Sequence, residues 1–291
     1  MVILITAAAG RTSGYVLKEL LASKSVKAED LRLLVRSEAS IKKVQSRHKQ
    51  LPRSSFVIAD FLEKSTLGPA VEDVDIVFHN APAFSPLESA MGIALIDAAK
   101  EAGVKHFVYC SVLFPVLRKL LNHDVKRVVE EYLIESGMDY TILEPTSFMQ
   151  NMDVKGAIEG RTLMCAYSPQ TLQGFLDLED LAQVARTVLL DPTPHNRARY
   201  ELVGENMSLE DVAKTIERVA GVPSVSCQLI PRGELLKRAA GSEYFTDALY
   251  RMLFYYDKRG IPGNNNTVRW LLGREPTSWE SFVKRVVGGG E

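Results

Sequence analysis

A chain of 291 residues has room for one large α/β domain, alone or carrying a smaller appendage. Its 35 Lys and Arg against 36 Asp and Glu leave a net charge of −1, which excludes a global field able to hold it on nucleic acid or an anionic membrane. With 46% hydrophobic residues it can bury a sizeable core, and three scattered cysteines, Cys110, Cys165 and Cys227, offer neither a disulfide framework nor a paired metal site.

The first apolar run, residues 2–6, stops after five residues and enters a small-residue turn, so it reads as a strand rather than a secretory leader. No apolar run approaches the roughly 20 residues of a membrane span, and the expected compartment is the cytoplasm. Further strand-like runs follow at 31–36, 55–59, 74–78, 106–110 and 140–143. Between them the helical period predicts helices at 12–23, 39–49, 64–71, 86–103 and 117–137. In the fourth of these, Leu87, Ala90, Met91, Ala94, Leu95 and Ala98 form the expected buried face, and Gly103 the C-cap. Continuous apolar strands separated by helices mark a doubly wound parallel sheet covered on both faces.

After residue 150 the rhythm loosens. A strand at 162–166, a helix at 178–190 and a strand at 199–203 precede a helix at 209–219, whose start is marked by Ser208 as N-cap with Glu210 and Asp211 in the first turn. The last sixty residues are helical and rich in aromatics, among them Tyr250, Phe254, Trp270 and Trp279. They suit a cap over a binding cleft or the packing of a small subdomain equally well. The reading is therefore a Rossmann-type domain over 1–150, with later segments returning to it, and a smaller, mostly helical substrate-binding part over 151–291.

Strand one runs into Thr6-Ala7-Ala8-Ala9-Gly10-Arg11-Thr12-Ser13-Gly14 and then a helix, which is where a doubly wound fold seats a pyrophosphate. In the GxxGxxG register the three positions are Ala7, Gly10 and Ser13, so only the middle glycine stands, and a purely structural turn remains an alternative. Strand two ends in Val35-Arg36-Ser37 with no acid for ribose hydroxyls. A guanidinium with a neighbouring hydroxyl suits the 2′-phosphate of NADP(H); a solvated surface arginine is the plainer reading. Asp60-Phe61 after strand three and Asn80-Ala81-Pro82 after strand four stand at carboxyl strand ends, suited to the adenosine and the middle of the cofactor, although Asp60 also fits a turn cap.

These residues, with His106-Phe-Val-Tyr-Cys-Ser111, His123-Asp-Val-Lys126, Val129-Glu-Glu-Tyr-Leu133, the run from Ser136 to Pro145, Phe148-Met-Gln-Asn151, the run from Phe175 to Leu181 and Leu272-Gly-Arg-Glu-Pro-Thr-Ser278, resemble the NmrA-like branch of the atypical short-chain dehydrogenases over nearly the whole chain. The resemblance implies a Rossmann fold with a smaller C-terminal part, NADP(H) as ligand and a small-molecule substrate. By position it implies Gly10, Arg11 and Thr12 at the pyrophosphate beside Ala8 and Ala9, Arg36 at the 2′-phosphate, and Asn80 to Pro82 at the cofactor's middle. It places Lys126 at the nicotinamide ribose and Pro145, Thr146 and Phe148 along the nicotinamide. Two departures stand out: Ala7 and Ser13 replace glycines, and Glu144 occupies a place where the family often has a basic residue.

Short-chain dehydrogenases use a tyrosine four residues before a lysine as their acid, but Asn122 stands four before Lys126. Lys126, His123 and Ser111 are the remaining catalytic candidates; His123 shares a helix face with Lys126 and reads as well as a surface or capping residue. Electrophiles such as quinones and iminium ions accept hydride with little acid assistance, and Phe84, Phe114, Met149, Met152 and Tyr167 are candidate walls for a planar substrate, or ordinary core. The expectation is an NADPH-dependent reductase of a small aromatic or heterocyclic electrophile, with secondary metabolism as one setting. Two alternatives stay open: an NADP-binding redox-sensing regulator with a protein partner, and a redox-neutral cyclase or isomerase.

Overall fold

Ile3–Ile5 (β1) is buried throughout and hydrogen-bonded on both sides to parallel neighbours, the position for which an unbroken apolar run is suited. In this computed structural model, which describes residues 1–238 and 242–290, β1 is followed by α1 (Arg11–Ala22), β2 (Leu31–Val35), α2 (Glu38–Arg47), β3 (Phe56–Ile58), α3 (Lys64–Val71), β4 (Ile76–His79), α4 (Glu88–Glu101), β5 (His106–Cys110), α5 (Leu121–Glu135) and β6 (Tyr140–Pro145). Next come β7 (Ser147–Phe148), α6 (Val154–Gly160), β8 (Thr162–Cys165) and β9 (Gln173–Leu176), then α7 (Leu178–Leu190) and β10 (Ala198–Leu202). β11 (Glu205–Met207), α8 (Leu209–Ala220), β12 (Ser226–Leu229), α9 (Arg232–Arg238), α10 (Glu243–Lys258), α11 (Asn266–Leu272) and α12 (Trp279–Val287) complete the chain.

The chain divides into two units. The first takes Met1–Arg118, His123–Glu144 and Leu181–Tyr200; the second takes Lys119–Asn122, Pro145–Asp180 and the residues from Glu201 on. The principal sheet has seven strands in the order β10-β6-β5-β4-β1-β2-β3, and its pairings from β3 to β6 are parallel. Strand order reverses between β1 and β4, leaving a crevice at their carboxyl ends. The fold is the expected doubly wound, Rossmann-like α/β architecture.

One face of the sheet packs Leu95, Ile96 and Ala99 of α4 and Val129 and Leu133 of α5 against Val77, Phe107 and Tyr109. The buried stripe of α4 keeps the expected Leu95, with Met91, Ala94 and Ala98 partly buried against the core, but its centre is shifted around the helix. It runs Glu88, Gly92, Leu95, Ile96, Ala99, whereas Leu87 is 47% exposed. Gly92 supplies the reason: a Cβ there would lie 2.7 Å from a methyl of Val129, so α4 turns its glycine toward α5 and approaches it closely.

The second unit holds a three-stranded sheet, β11-β9-β7, and a parallel pair, β12 with β8. Trp279, fully buried, meets Phe175 and Phe282 edge-on at centroid distances of 5.0 and 5.5 Å. Ser208 caps α8 by accepting from the Asp211 amide. Of the late aromatics, Trp279 is core, while Trp270 is 74% exposed. Among the described residues no helix is long and apolar enough to cross a membrane.

Candidate functional site

The crevice at the strand reversal has a volume of about 280 Å³ and lies wholly within the first unit. Ala7, Ala9, Gly10, Arg36, Ser40, Phe61, Asn80, Ala81 and Pro82 line it. A larger cavity, about 530 Å³, lies at the amino ends of β4 and β5 beside Met1, Asp75 and Lys105. Open α/β sheets bind ligands at the carboxyl ends of their strands, which favours the smaller one.

The turn after β1 is held from several sides. Ala8 N–H donates to Leu34 O, and Gly10 N–H to Ala7 O at 2.7 Å. A Cβ on Gly10 would sit 3.0 Å from the Ala7 carbonyl, so the middle glycine relieves a close backbone approach. Ser13 is fully buried and donates its hydroxyl to Thr6 O at 2.8 Å; the serine thereby ties helix to strand where a glycine was expected. Ala7 takes φ +47°, the left-handed region that a glycine would occupy without strain. Gly10, the N-cap of α1, supplies no side-chain cap, and the first turn holds no acid. Its N-terminal amides, with roughly half a positive charge from the helix dipole, suit an anion. Arg11 is exposed, Thr12 half-buried and Ala8 buried beside them.

At the β2 end, Arg36 is exposed on the crevice wall. Ser37 is the N-cap of α2, accepting from Ser40 N–H, and its hydroxyl is 3.1 Å from that of Ser40. Ser40 itself lines the crevice and was not among the sequence candidates, although its place three residues after an N-cap serine turns it toward the strand ends. The acid in that first turn, Glu38, is engaged by Arg53 at 2.6 Å. Asp60 closes a turn, accepting from Leu62 N–H and receiving the Thr66 hydroxyl on its carbonyl, while Phe61 contributes a buried wall. Asn80 is stitched to β1: its N–H donates to Thr6 Oγ1 at 2.9 Å, and Thr6 Oγ1 donates to its carbonyl.

The three catalytic candidates are all buried. Lys126 is 8% exposed; its Nζ lies 2.8 Å from Glu88 Oε1, 3.4 Å from Cys110 O and 5.5 Å from the Tyr109 ring centroid. Burial lowers its affinity for a proton, but Glu88 and its other partners reverse that and hold it above the ordinary lysine range. His123 donates Nδ1–H to the Phe114 carbonyl at 3.1 Å, since a carbonyl only accepts. That leaves Nε2 as an acceptor without a hydrogen-bond partner among the described residues, and burial pushes the imidazole down to about 4. Ser111 donates to the Glu130 carboxylate, whose own proton affinity burial raises. Arg199 of β10 bridges Glu130 at 3.0 Å and Glu144 at 2.8 Å. Glu144, the acid in an unexpected place, is thus answered by a cation from the neighbouring strand.

Phe84 and Phe114 are half-buried with φ of +60° and +55°, backbone strain in the loops after β4 and β5 of the kind that gathers at functional sites. Pro145, Thr146, Phe148, Met149, Met152 and Tyr167 belong to the second unit. There Thr146 donates to Gly174 O, Met149 is fully buried, Tyr167 meets Tyr256 edge-on at 5.6 Å, and Phe148 and Met152 are half-buried. The two late motifs meet each other: buried Asp180 accepts from Thr277 N–H, Thr277 Oγ1 and Arg274 Nη2 at 2.6, 3.0 and 2.7 Å.

Residues 1–283 match the profile of the NmrA-like family. The chain is 27% identical over 300 residues to agroclavine dehydrogenase of Claviceps fusiformis, covering 97% of this chain and 96% of that one. It is 29% identical to NAD(P)H azoreductase of Xenophilus azovorans over 87% and 88% of the two chains. The crystal structure of an NADPH-dependent quinone oxidoreductase from Escherichia coli complexed with NADPH superposes with a TM-score of 0.80 at 23% identity, covering 98% and 99%.

Proposed function

We propose, since the chain belongs to the NmrA-like family, that it is an NADPH-dependent reductase of a small aromatic or heterocyclic electrophile such as a quinone, an iminium ion or an azo compound. The carrying observation is the crevice itself: an uncapped helix N-terminus at Gly10 faces the same space as Arg36 and Ser40, with no free acid after β2. A diphosphate fits the first and a 2′-phosphate the second. The named relatives, a dehydrogenase, an azoreductase and a quinone oxidoreductase, support the same class of reaction.

NADPH would supply hydride from C4 of its nicotinamide. The α1 amides and Gly10 hold the diphosphate, Arg36 with Ser37 and Ser40 the 2′-phosphate, and Asn80, Ala81 and Pro82 the middle of the nucleotide. Lys126, kept cationic, acts on the ribose by charge and hydrogen bonding rather than as a proton donor. His123 carries its proton on the Phe114 side and offers an acceptor at Nε2. With Asn122 where a tyrosine acid would stand, the reaction suits acceptors that are electrophilic without protonation, the reduced product taking its proton from water. Phe84 and Phe114, strained in the loops after β4 and β5, are the proposed walls for a planar substrate.

Titration with NADPH and NADH, followed by nucleotide fluorescence, tests the cofactor. Arg36→Ala should weaken NADPH about 10- to 100-fold, the worth of one charge-assisted contact, and leave NADH nearly unchanged. Equal losses for the two would show that the arginine does not read the 2′-phosphate. NADPH consumption with quinones and cyclic iminium compounds then tests the reaction; tight binding without turnover on any of them would favour the redox-sensing alternative.

A further inference from the structure

No motif marks Glu88, but its burial does. It is fully buried in the first turn of α4, and apart from the Lys126 ammonium its carboxylate has no hydrogen-bond partner among the described residues. A pair this enclosed is poorly explained by stability, because desolvating two ions offsets most of their attraction and an apolar pair of similar size would serve the fold as well. The close approach of α4 to α5 rests on Gly92 and Val129, one turn further along each helix.

We propose that Glu88 is a positioning residue for Lys126, fixing the place and charge of its ammonium at the carboxyl ends of β4 and β5, where the nucleotide ribose is to be met. This rests on the reading that the crevice takes NADPH. The groups facing Lys126 are few. From β5 come Tyr109 and Cys110, whose hydroxyl and thiol burial keeps protonated. From β4 comes His79, stacked on Tyr109 at 5.7 Å and pushed down to about 3 by burial, so neutral. From α5 come His123, also neutral, and Glu130, already engaged by Ser111 and Arg199. Among these, Glu88 is the one anion in contact with Nζ. Without it the ammonium keeps a carbonyl and a ring face, and desolvation releases its proton at lower pH.

The experiment is NADPH titration by fluorescence from about pH 6 to about pH 9, within reach of a desolvated lysine, for wild type, Glu88→Gln and Glu88→Asp. In parallel, Cε shifts of 13C-lysine-labelled protein report the charge of Lys126. The wild type should bind evenly across the range. Glu88→Gln should lose about tenfold or more at the alkaline end and recover at the acid end, with the Lys126 shift titrating in step. Glu88→Asp should restore most of the alkaline affinity. The double variant Glu88→Leu with Lys126→Met replaces the ions by an apolar pair and remains informative if Glu88→Gln does not fold; it should bind no more weakly than Lys126→Met alone. Wild-type affinity and a level profile in Glu88→Gln would overturn the proposal while leaving the NADPH reading intact, as would a double variant whose losses simply add. Failure of the wild type to bind NADPH would overturn that reading and the proposal with it.

Discussion

At Ala7 the chain holds a left-handed backbone with a residue that resists it. For an L-residue that region is about 1–2 kcal/mol unfavourable, against about 0.4–1 kcal/mol of extra unfolded-state entropy for glycine. Ala7→Gly should therefore stabilise the protein, by about 0.5–1 kcal/mol, read as a higher urea midpoint at unchanged slope. An unchanged or lower midpoint would mean that the turn is held so firmly by the Ala8 and Gly10 amides that strain at Ala7 is not relieved. Ser13 teaches the complementary point. Read as a missing glycine, it looks like a defect in the motif, yet its hydroxyl secures Thr6 O inside the fold. Sequence shows which residue departs from a pattern; whether the departure is strain or compensation depends on a φ angle and a hydrogen bond that only the folded chain has.

The pairing of α4 with α5 shows what was legible at the level of elements. The helical period, the strand runs and the doubly wound order could be read directly, because continuous apolar strands and helical repeats are local consequences of burial. Which way α4 faces could not. Its alanines, at 90, 94 and 98, make several faces look apolar, and the choice is settled by a non-local fit: a glycine against Val129 and a glutamate against Lys126. A buried acid heading a helical stripe breaks the apolar pattern by which such a stripe is recognised. Gly92→Ala would place a methyl 2.7 Å from Val129 Cγ2 and should destabilise by about 1–3 kcal/mol, the usual range for overpacking. Chemical denaturation measures it, and Val129→Ala in the same chain should recover part of the loss; a neutral Gly92→Ala would show that the helices separate freely.

At the scale of the molecule, the lining of the crevice at Gly10, Arg36 and Asn80 was readable from strand ends, because position in a doubly wound sheet predicts it. The buried polar groups were not, since their partners lie far apart in sequence. Their proton equilibria set the acid response. His79, His106 and His123 are lowered by burial to about 3, 4 and 4. Unfolded histidines bind protons near the ordinary value, about 6.5, so the unfolded state gains protons first, and stability, complete above that value, falls as pH drops toward 4. Each contributes up to about 1.4 kcal/mol per pH unit within its window. Glu130 and Asp180, raised by burial, act in the opposite sense, but Arg199 and Arg274 counter their shifts. Urea midpoints should therefore fall between pH 7 and pH 5. A level or rising profile would show that these imidazoles take up protons without opening the core.

Arg199 arrives late in the chain. It reaches Glu130 and Glu144, 3% and 4% exposed at their side chains, only after residues 145–180 have gone into another unit. Until residue 199 emerges from the ribosome, the nascent half-sheet carries two buried acids without the guanidinium that bridges them, and β6 has its outer edge unpaired. Cutting the gene at the apparent domain boundary would thus remove the cation that bridges those two acids. The first unit is one body in space but three pieces in the chain, and it becomes whole only when the last piece is made.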